Sequence, residues 1–432
     1  MKKYIEYAIT DIPWLTQLPS HWCLFRAKRL FSNPKEKNEN NNEKNILSLT
    51  LNGVIRNNVD NPIGLSPSDY STYQIFEKDN LVFKLIDLEN ISTSRIGLVP
   101  ERGIMSSAYI RFVARSNINI RYFYTYYYSM WLRNIFNGLG AGVRQTLSST
   151  ELLDIKIPVP PREEQDQIVC FLDWKTAKID KLIEGYQKQI ALLEEKKLSY
   201  IDRLITGKEN LNSTFVDSGV AWIGNIPSHW KVDKVKNHFQ ILKRIAGKEG
   251  YDVISITQQG LKIKDISSNE GQMASSYAKY QLIYPNEYAM NHMDLLTGYI
   301  GLSKMFGVTS PDYRVFTLTD VDNCDLIYYL YVFQMGYKRK IFYGLGRGAA
   351  NKGRWRMPAI HFKNYEIPIP PIEEQKEIVL KTQRYEETID TTIKSIYKQI
   401  SLLKEYRTRL ISDVVTGQID VRDEKVPETE VN

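Results

Sequence analysis

The sequence predicts an α+β protein in which two repeated globular domains are joined by two long helices that form an antiparallel coiled coil. The first observation is a repeated segment: IPVPPREEQ at 157–165 returns as IPIPPIEEQ at 367–375. The second is a repeated opening, WLTQLPSHW at 14–22 and WIGNIPSHW at 222–230. The third is a long amphipathic run after each proline-rich segment. The chain therefore consists of two copies of one repeated unit.

Each proline-rich segment predicts the boundary between a globular domain and a helix. Adjacent prolines disfavour helix and strand interiors, whereas proline fits the first turn of a helix because its missing N–H is not needed there. The EEQ that follows places carboxylates in this turn, where the helix dipole favours negative charge. We therefore expect a helix to begin at each EEQ.

The amphipathic runs have apolar residues mostly three or four positions apart, which is typical of a coiled-coil seam. Helices packed on separate globular cores are the alternative. Both runs end in Thr-Gly, and glycine suits the left-handed residue past a helix end. A helix from Glu163 to Ile205 would be roughly 64 Å long. The predicted seam residues are Ile179, Leu182, Tyr186, Ile190, Leu193, Ile201 and Leu204, then Ile389, Ile393, Ile396, Ile400, Leu403, Leu410 and Val414.

These boundaries divide the chain into five segments. They are a first globular domain (1–162), a first long helix (163–208), a second globular domain (209–372), a second long helix (373–418) and a tail (419–432). The tail is acidic and lacks apolar periodicity, which predicts disorder.

The two globular domains share strand patterns and glycines but differ in most polar side chains. Residues 46–55 and 253–262 both alternate apolar and polar positions, which predicts a strand that enters a turn. Residues 122–128, YFYTYYY, indicate core packing, with an aromatic platform for nucleic acid as the alternative. The polar residues 33–45 predict a solvated loop. One scaffold therefore carries two different surfaces.

The composition indicates a soluble protein of the cytoplasm. A formal charge of +7 favours a polyanionic partner, although only modestly. Three scattered cysteines support neither a disulfide framework nor a metal site, so no metal is expected. The sequence shows no signal peptide and no apolar run long enough to cross a membrane. His21 and His229 lie in the repeated opening without a nucleophile or second ligand, which favours a structural role in a turn.

A glycine-rich stretch precedes each proline-rich segment, NGLGAGVRQT from Asn137 and YGLGRGAANK from Tyr343. A nucleotide-binding loop is one reading, but each stretch follows an aromatic, helix-like segment rather than an apolar strand. We favour a backbone turn close to a ligand. Residues 342–363 are basic, contain RWR and lack acidic residues, which suits contact with DNA phosphates and base edges. A solvated charged face is the alternative.

The predicted DNA-facing residues are polar side chains beside these turn glycines. The alternatives are surface solubility for each lysine and arginine, and a turn-capping amide for Asn52 and Gln259. The candidates are Asn52, Arg56, Arg144, Gln145 and Thr146 in the first domain, and Gln258, Gln259, Lys262, Arg347, Asn351, Lys352, Arg354 and Arg356 in the second.

The doubled W-x(3)-L/I-P-S-H-W opening, the doubled I-P-V/I-P-P-x-E-E-Q segment and the long helices ending in Thr-Gly resemble the DNA-specificity subunit of type I restriction-modification systems. The resemblance covers nearly the whole chain. It implies that each globular domain is a target-recognition domain and that the antiparallel helices hold the two domains apart. It also implies a bipartite DNA site with two half-sites and an unspecified spacer.

The resemblance further implies a non-catalytic subunit whose partners are double-stranded DNA, two methyltransferase subunits and ATP-driven translocase-nuclease subunits. No cofactor is then expected in this chain, because S-adenosylmethionine, ATP and magnesium would belong to the partner subunits. Neither a D/N/S-P-P-Y/F methyltransferase motif nor a nuclease carboxylate cluster is evident in the sequence. A coiled-coil scaffold that binds only protein remains the alternative function.

Overall fold

The computed structural model describes residues 2–57, 69–88, 94–140, 146–209, 213–266, 274–348 and 355–427. The chain divides into two compact units, one formed by Met1–Gln187 with Tyr397–Asn432 and the other by Lys188–Ile396. Each unit contains one globular domain and a part of each long helix.

The first globular domain is built from short strands and a few helices. Its strands are β1 (Tyr7–Ile12), β2 (Leu15–Pro19), β3 (Cys23–Arg26), β4 (Phe31–Ser32), β5 (Leu47–Thr50), β6 (Gly53–Arg56), β7 (Gln74–Phe76), β8 (Leu81–Phe83), β9 (Ile96–Leu98), β10 (Gly103–Met105), β11 (Ile110–Ala114) and β12 (Lys156–Val159). Its helices are α1 (Ala27–Leu30), α2 (Ile120–Leu132), α3 (Ile135–Leu139) and α4 (Ser149–Asp154), followed by the long α5 (Arg162–Ile205). A 3-10 turn covers Glu39–Asn41.

The second globular domain follows the same plan. Its strands are β13 (Phe215–Asp217), β14 (Asn225–Pro227), β15 (Lys231–Lys234), β16 (Phe239–Leu242), β17 (Ile254–Thr257), β18 (Gly260–Ile263), β19 (Gln281–Ile283), β20 (Tyr288–Met290), β21 (Ile300–Leu302), β22 (Gly307–Thr309), β23 (Arg314–Leu318) and β24 (Glu366–Ile369). Its helices are α6 (Val235–His238), α7 (Leu326–Lys338), α8 (Ile341–Gly344) and α9 (Ala359–Lys363), followed by the long α10 (Ile372–Val415).

Each domain core is an antiparallel four-stranded sheet packed with aromatic side chains. The strand order is β4-β11-β8-β9 in the first domain and β16-β23-β20-β21 in the second. Tyr122, Phe123, Tyr126 and Tyr127 of α2 are buried, so the prediction that YFYTYYY packs in the core is confirmed. A polar side chain caps each aromatic helix: Asn119 accepts from the amides of the first turn of α2, as Asp325 does for α7.

The long helices run antiparallel within each unit, as predicted. In the first unit, Gln167 of α5 donates to the Val421 carbonyl just beyond α10, and Asp180 pairs with Arg407 at 2.9 Å. In the second unit, Lys197 pairs with Asp390 at 2.6 Å. Residue numbers thus rise along α5 as they fall along α10. Both helices have 44 residues, about 66 Å at the usual rise.

The predicted seam needs one correction in α5. Leu182 is 47% exposed, whereas its neighbour Ile183 is buried. Ile179, Ile183 and Ile190 form the buried stripe at spacings of four and seven residues. A one-residue change moves a side chain by about 100° around a helix, so apolar character alone does not distinguish adjacent leucine and isoleucine.

The Thr-Gly helix ends dock onto the repeated opening segments. Gly417 has a φ of +70° and Gly207 a φ of +73°, which confirms the left-handed residue predicted past each helix. A Cβ at Gly417 would lie 2.4 Å from Cδ of Pro19, and a Cβ at Gly207 would lie 2.4 Å from Cδ of Pro227. The glycines therefore allow both a turn and close packing against a proline.

The glutamine of each EEQ fastens the helix start to its globular domain. Gln375 is fully buried, accepts from the Asp325 amide at 2.7 Å and donates to the Asn323 and Pro370 carbonyls at 2.7 and 2.8 Å. In the first unit Gln165 accepts from the Asn119 amide and donates to the Pro160 carbonyl, both at 2.9 Å. The helix dipole explains the carboxylates of this motif, but the role of the glutamine was not predicted from the sequence.

The two motif histidines also contact helix starts. His21 Nε2 lies 2.8 Å from Glu164, and His229 Nε2 lies 2.7 Å from Glu374. Their role is structural, although they link two elements rather than cap their own turn.

Two segments predicted to be solvated or disordered are packed in part. In the tail, Val421 is fully buried, and Asp420 forms an isolated backbone β-bridge with Lys2. The Arg422 guanidinium lies 5.0 Å from the Tyr4 ring centroid. This corrects the prediction of disorder for that stretch, while 428–432 lie outside the described residues. In the polar loop, Asn38 is 1% exposed and exchanges hydrogen bonds with the Glu43 backbone. No helix within the described ranges is long and apolar enough to span a membrane.

Candidate nucleic-acid interface

The hairpins β5–β6 and β17–β18 have the same turn. Thr50 Oγ1 donates to the Gly53 carbonyl at 2.9 Å, and Gly53 has a φ of +99°. Thr257 Oγ1 donates to the Gly260 carbonyl at 2.9 Å, and Gly260 has a φ of +106°. Glycine accepts this conformation at little steric cost. The two hairpins carry five predicted DNA-facing residues, all exposed: Asn52, Gln258 and Gln259 in the turns, and Arg56 and Lys262 on the strands that follow.

The hairpins do not show the alternative in which the side-chain amides of Asn52 and Gln259 cap their turns. The backbone amides of Asn52 and Gln259 donate to the turn threonines at 3.1 and 3.2 Å, so the threonine hydroxyls close the turns. The Asn52 side chain makes no hydrogen bond to another described residue, whereas Gln259 Oε1 accepts from Lys262 Nζ at 2.5 Å. The hairpin tips therefore present amide groups that suit base-edge contacts.

Asn52 lines a cavity of about 390 Å³ in the first unit. The walls come from the hairpin tip, α2, α5 and the end of α10, and they include Tyr124, Tyr128, Asp173 and Arg407. Burial raises the pKa of Asp173, against the opposing effect of its ion pair with Arg121 at 2.9 Å. The Asn52 turn thus faces a groove shared with the helices.

Arg56 is engaged by an acidic neighbour. Its guanidinium forms a two-pronged ion pair with Glu101, which raises the pKa of Arg56 and lowers that of Glu101. The Glu101 carboxylate thus neutralises the Arg56 charge that was predicted to face DNA. The side chain is 70% exposed, so the pair lies at the surface, where ion pairs are weak and exchangeable.

The basic stretch of the second domain forms a closed stem. The Arg347 amide donates to the Arg356 carbonyl at 2.8 Å, and the Arg356 amide donates to the Arg347 carbonyl at 3.1 Å. Both side chains are exposed, and neither forms an ion pair with any residue that the structure describes. As far as the described residues show, the paired backbone positions of this stem therefore carry two arginines without a carboxylate partner.

Trp355 anchors this stem and is only partly exposed. Its indole N–H donates to the Tyr343 carbonyl at 2.6 Å, and the two rings stack with centroids 5.2 Å apart. A Cβ at Gly346 would lie 2.3 Å from the indole ring, so this glycine allows the close approach. Gly346 and Trp355 thus shape the loop, and Tyr343 covers one face of the Trp355 ring.

Buried positive charge lies beneath the stem. Arg314 is 5% exposed and donates to the Met357 carbonyl at 2.9 Å, and burial lowers its pKa to about 10. Burial, together with the charges of Arg314 and Arg356, lowers the pKa of His292 to about 4. Because Arg314 has no carboxylate partner within the described residues, its charge adds to the positive potential of the stem. Arg314 was not predicted from the sequence, because it begins the largely apolar strand β23.

Thr146 occupies the place in the first domain that Arg356 occupies in the second. Leu147, which follows Thr146, donates its backbone N–H to the Leu85 carbonyl at 2.9 Å. Met357, which follows Arg356, donates to the His292 carbonyl at the same distance. The same backbone position therefore presents a hydroxyl in one domain and a guanidinium in the other. The remaining predicted DNA-facing residues lie outside the described residues: Arg144, Gln145, Asn351, Lys352 and Arg354.

The repeated frame corresponds to a known family. The family described as the type I restriction modification DNA specificity domain matches the chain twice, at residues 24–193 and 227–402. This chain belongs to that family. The resemblance seen in the doubled motifs is thereby confirmed.

Relatives of this family cover most of the chain. The type I restriction enzyme MjaX specificity subunit of Methanocaldococcus jannaschii is 28% identical over 322 residues, 68% of each protein. The MjaVIII specificity subunit of the same organism is 24% identical over 369 residues, 81% of each. A solved chain from work on complex assembly and conformational transition of the type I R-M system has a TM-score of 0.60 at 13% identity, covering 93% of this chain and 99% of that one. That last similarity concerns the fold.

Proposed function

We propose that this chain is the DNA-recognition subunit of a type I restriction-modification complex and that its two domains read the two halves of an asymmetric duplex site. The pair Thr146 and Arg356 supports the proposal, because equivalent backbone positions present a hydroxyl in one domain and a guanidinium in the other, which suit different groups on DNA. The hairpin tips differ in the same way, with Leu51 and Asn52 in one domain and Gln258 and Gln259 in the other.

Phosphate contact is the first task of the exposed arginines. Arg347 and Arg356 have no carboxylate partner among the described residues, so binding a phosphate breaks no existing ion pair there. Arg56 would have to leave Glu101, which makes it a weaker contributor. The amide tips and the threonine supply groups that distinguish base edges.

The long helices suit a role as a spacer between the two half-sites. Adjacent major-groove segments on one side of B-DNA are about 34 Å apart, a distance that helices of this length can accommodate. We expect insertion of one helical turn before each Thr-Gly end to lengthen the spacer and leave both half-sites unchanged. Mapping of N6-methyladenine with the insertion variant tests this, and an unaltered spacer would contradict it.

In the proposed complex this chain acts with partner subunits and catalyses no reaction itself. Two methyltransferase subunits would bind it and use S-adenosylmethionine, and translocase-nuclease subunits would use ATP and magnesium, so this chain needs no catalytic residues or cofactor of its own. The complex would act in the cytoplasm, and the recognition domains would accommodate an adenine flipped out of the duplex.

Methylation mapping tests the proposal directly. The chain is co-expressed with the methyltransferase encoded in its own genome, and methylated adenines are mapped across the host chromosome. We expect a motif with two different halves. Co-purification of the methyltransferase without methylation or duplex binding would contradict the proposal and favour a scaffold that binds only protein.

Substitutions in the stem separate phosphate contact from base recognition. Arg356→Ala should weaken duplex binding and lower the slope of log affinity against log salt by about 1 for each lost phosphate contact. Arg356→Lys keeps the charge and should restore that slope, but it would not restore a two-pronged contact with guanine. Arg384→Ala, which removes an exposed arginine of α10, is the charge-matched control.

A further inference from the structure

His238, Asp320 and Cys324 meet in the second domain, and none of them belongs to the basic stem. His238 Nδ1 lies 2.9 Å from Oδ2 of Asp320 and 3.7 Å from Sγ of Cys324. One ligand atom from each residue lies within 4.8 Å of the other two. Imidazole, carboxylate and thiolate are the three side-chain groups that bind zinc in proteins.

The opposite edge of the His238 ring is held by a second carboxylate. His238 Nε2 lies 3.0 Å from Oδ2 of Asp233, whose other oxygen accepts from the Lys234 amide at 2.7 Å and from Asn237 at 2.6 Å. Both ring nitrogens therefore lie at hydrogen-bond distance from a carboxylate. If Asp233 holds the proton on Nε2, loss of the Nδ1 proton would free that nitrogen to bind a metal. Metal-binding histidines commonly donate their second ring N–H to a carboxylate in this way, which fixes the tautomer.

The separations approach those of a tetrahedral site. Bonds of 2.0–2.3 Å place nitrogen, oxygen and sulfur ligands about 3.4–3.6 Å apart, so small side-chain movements would bring the observed atoms to these distances. Cys324 is 4% exposed, whereas the Asp320 side chain is 25% exposed. His238 and Asp320 line a cavity of about 490 Å³, which leaves room for water as a fourth ligand.

The first domain serves as an internal comparison. The Arg115 amide donates to the Leu30 carbonyl as the Thr319 amide donates to the His238 carbonyl, both at 2.8 Å, so Leu30 occupies the place of His238. Because Arg115 matches Thr319, Ser116 is equivalent to Asp320. Because the helix caps Asn119 and Asp325 match, Ile118 is equivalent to Cys324. The connection before α7 (319–325) is also two residues longer than that before α2 (115–119).

We propose that His238, Asp320 and Cys324 bind one zinc ion in the second domain, with Asp233 as the positioning carboxylate. The metal links the end of α6 to the connection before α7. Gln375 holds that same connection through Asn323 and Asp325, so the site strengthens the junction between the second domain and the start of α10. Widely separated residues form the site, which explains why cysteine spacing predicted no metal.

Cobalt titration of the full-length chain tests the site without reference to DNA. The metal-free protein is titrated with Co²⁺, which replaces zinc in tetrahedral sites and gives a thiolate charge-transfer band in the near ultraviolet. We expect one equivalent to bind with this band and with visible absorption typical of tetrahedral cobalt, and zinc to displace it. Absence of a stoichiometric band would overturn the proposal.

Variants assign the ligands. Cys324→Ser should abolish the charge-transfer band, whereas Cys23→Ser with Cys170→Ser should retain it, because both of those cysteines lie in the first unit. Asp233→Asn should weaken metal affinity by about 10–100-fold while leaving the band at saturation unchanged. A band that survives Cys324→Ser or disappears in the double variant would overturn the assignment. The near-isosteric Asp320→Asn supplies a second ligand test should Cys324→Ser not fold.

Discussion

Trp230 donates its indole N–H to Oε2 of Glu374 at 2.9 Å, across the junction between a globular domain and the start of α10. The first domain builds the same junction differently. Glu164 accepts there from the Tyr4 hydroxyl and contacts His21, and the indole nitrogen of Trp22 has no partner among the described residues. Two equally buried tryptophans therefore differ by one hydrogen bond to a carboxylate.

Trp230→Phe should destabilise the second unit more than Trp22→Phe destabilises the first. Both changes remove similar apolar area, but only the former removes a hydrogen bond to a charged group, which contributes about 1.5–3 kcal/mol and less when the acceptor is partly exposed, as Glu374 is. Hydrogen-exchange mass spectrometry of peptides from each unit measures the local free energies of opening. Equal losses in the two variants would contradict this assignment.

Gly207→Ala and Gly417→Ala should each destabilise the unit that contains the glycine. A side chain at positive φ is strained, and the added Cβ would collide with Pro227 or Pro19, so a loss above about 1 kcal/mol is expected. Gly185→Ala is the matched control: this glycine lies within α5, and a Cβ there meets nothing within 4 Å. It should stabilise the helix by up to about 1 kcal/mol. Thermal unfolding followed by circular dichroism reports the opposite signs.

Gln375→Leu should loosen the start of α10. It leaves the Asp325 amide and the Asn323 and Pro370 carbonyls without their side-chain partner, and an unsatisfied buried polar group costs about 1–3 kcal/mol. Gln165→Leu removes two such bonds rather than three and should cost less. Amide exchange in the first turns of α7 and α10 should accelerate in Gln375→Leu, and unchanged exchange there would rule out the fastening role.

Stability of the second unit should fall in mild acid because of His292. Its pKa is lowered from 6.5 to about 4 by burial and by nearby arginine charge, so the unfolded chain takes up a proton more readily than the folded one. The contribution of His292 to stability is fully present above about pH 6.5 and is lost as the pH falls towards 4. Unfolding between these pH values should depend less on pH in His292→Gln. Parallel curves for the two proteins would contradict this cause.

Repeated local chemistry made much of the architecture predictable. The IPVPPREEQ and IPIPPIEEQ segments mark helix starts because proline and first-turn carboxylates act through the adjacent backbone, and Thr-Gly marks helix ends because glycine accepts a left-handed conformation. The buried YFYTYYY helix follows from its aromatic content. These features depend on neighbours within a few positions, so the sequence by itself determined two domains, two long helices and the family resemblance.

Tertiary structure alone decided which side chains are engaged. The sequence shows no partner for Arg56, but the fold brings Glu101 beside it. The fold also stacks Trp355, part of the basic RWR, against Tyr343. The metal-ligand cluster joins His238 to Cys324 across 86 positions, and the tail residue Val421 is buried by partners that no local pattern reveals. Charge compensation and burial depend on distances between residues far apart in the chain, and only the folded chain sets those distances.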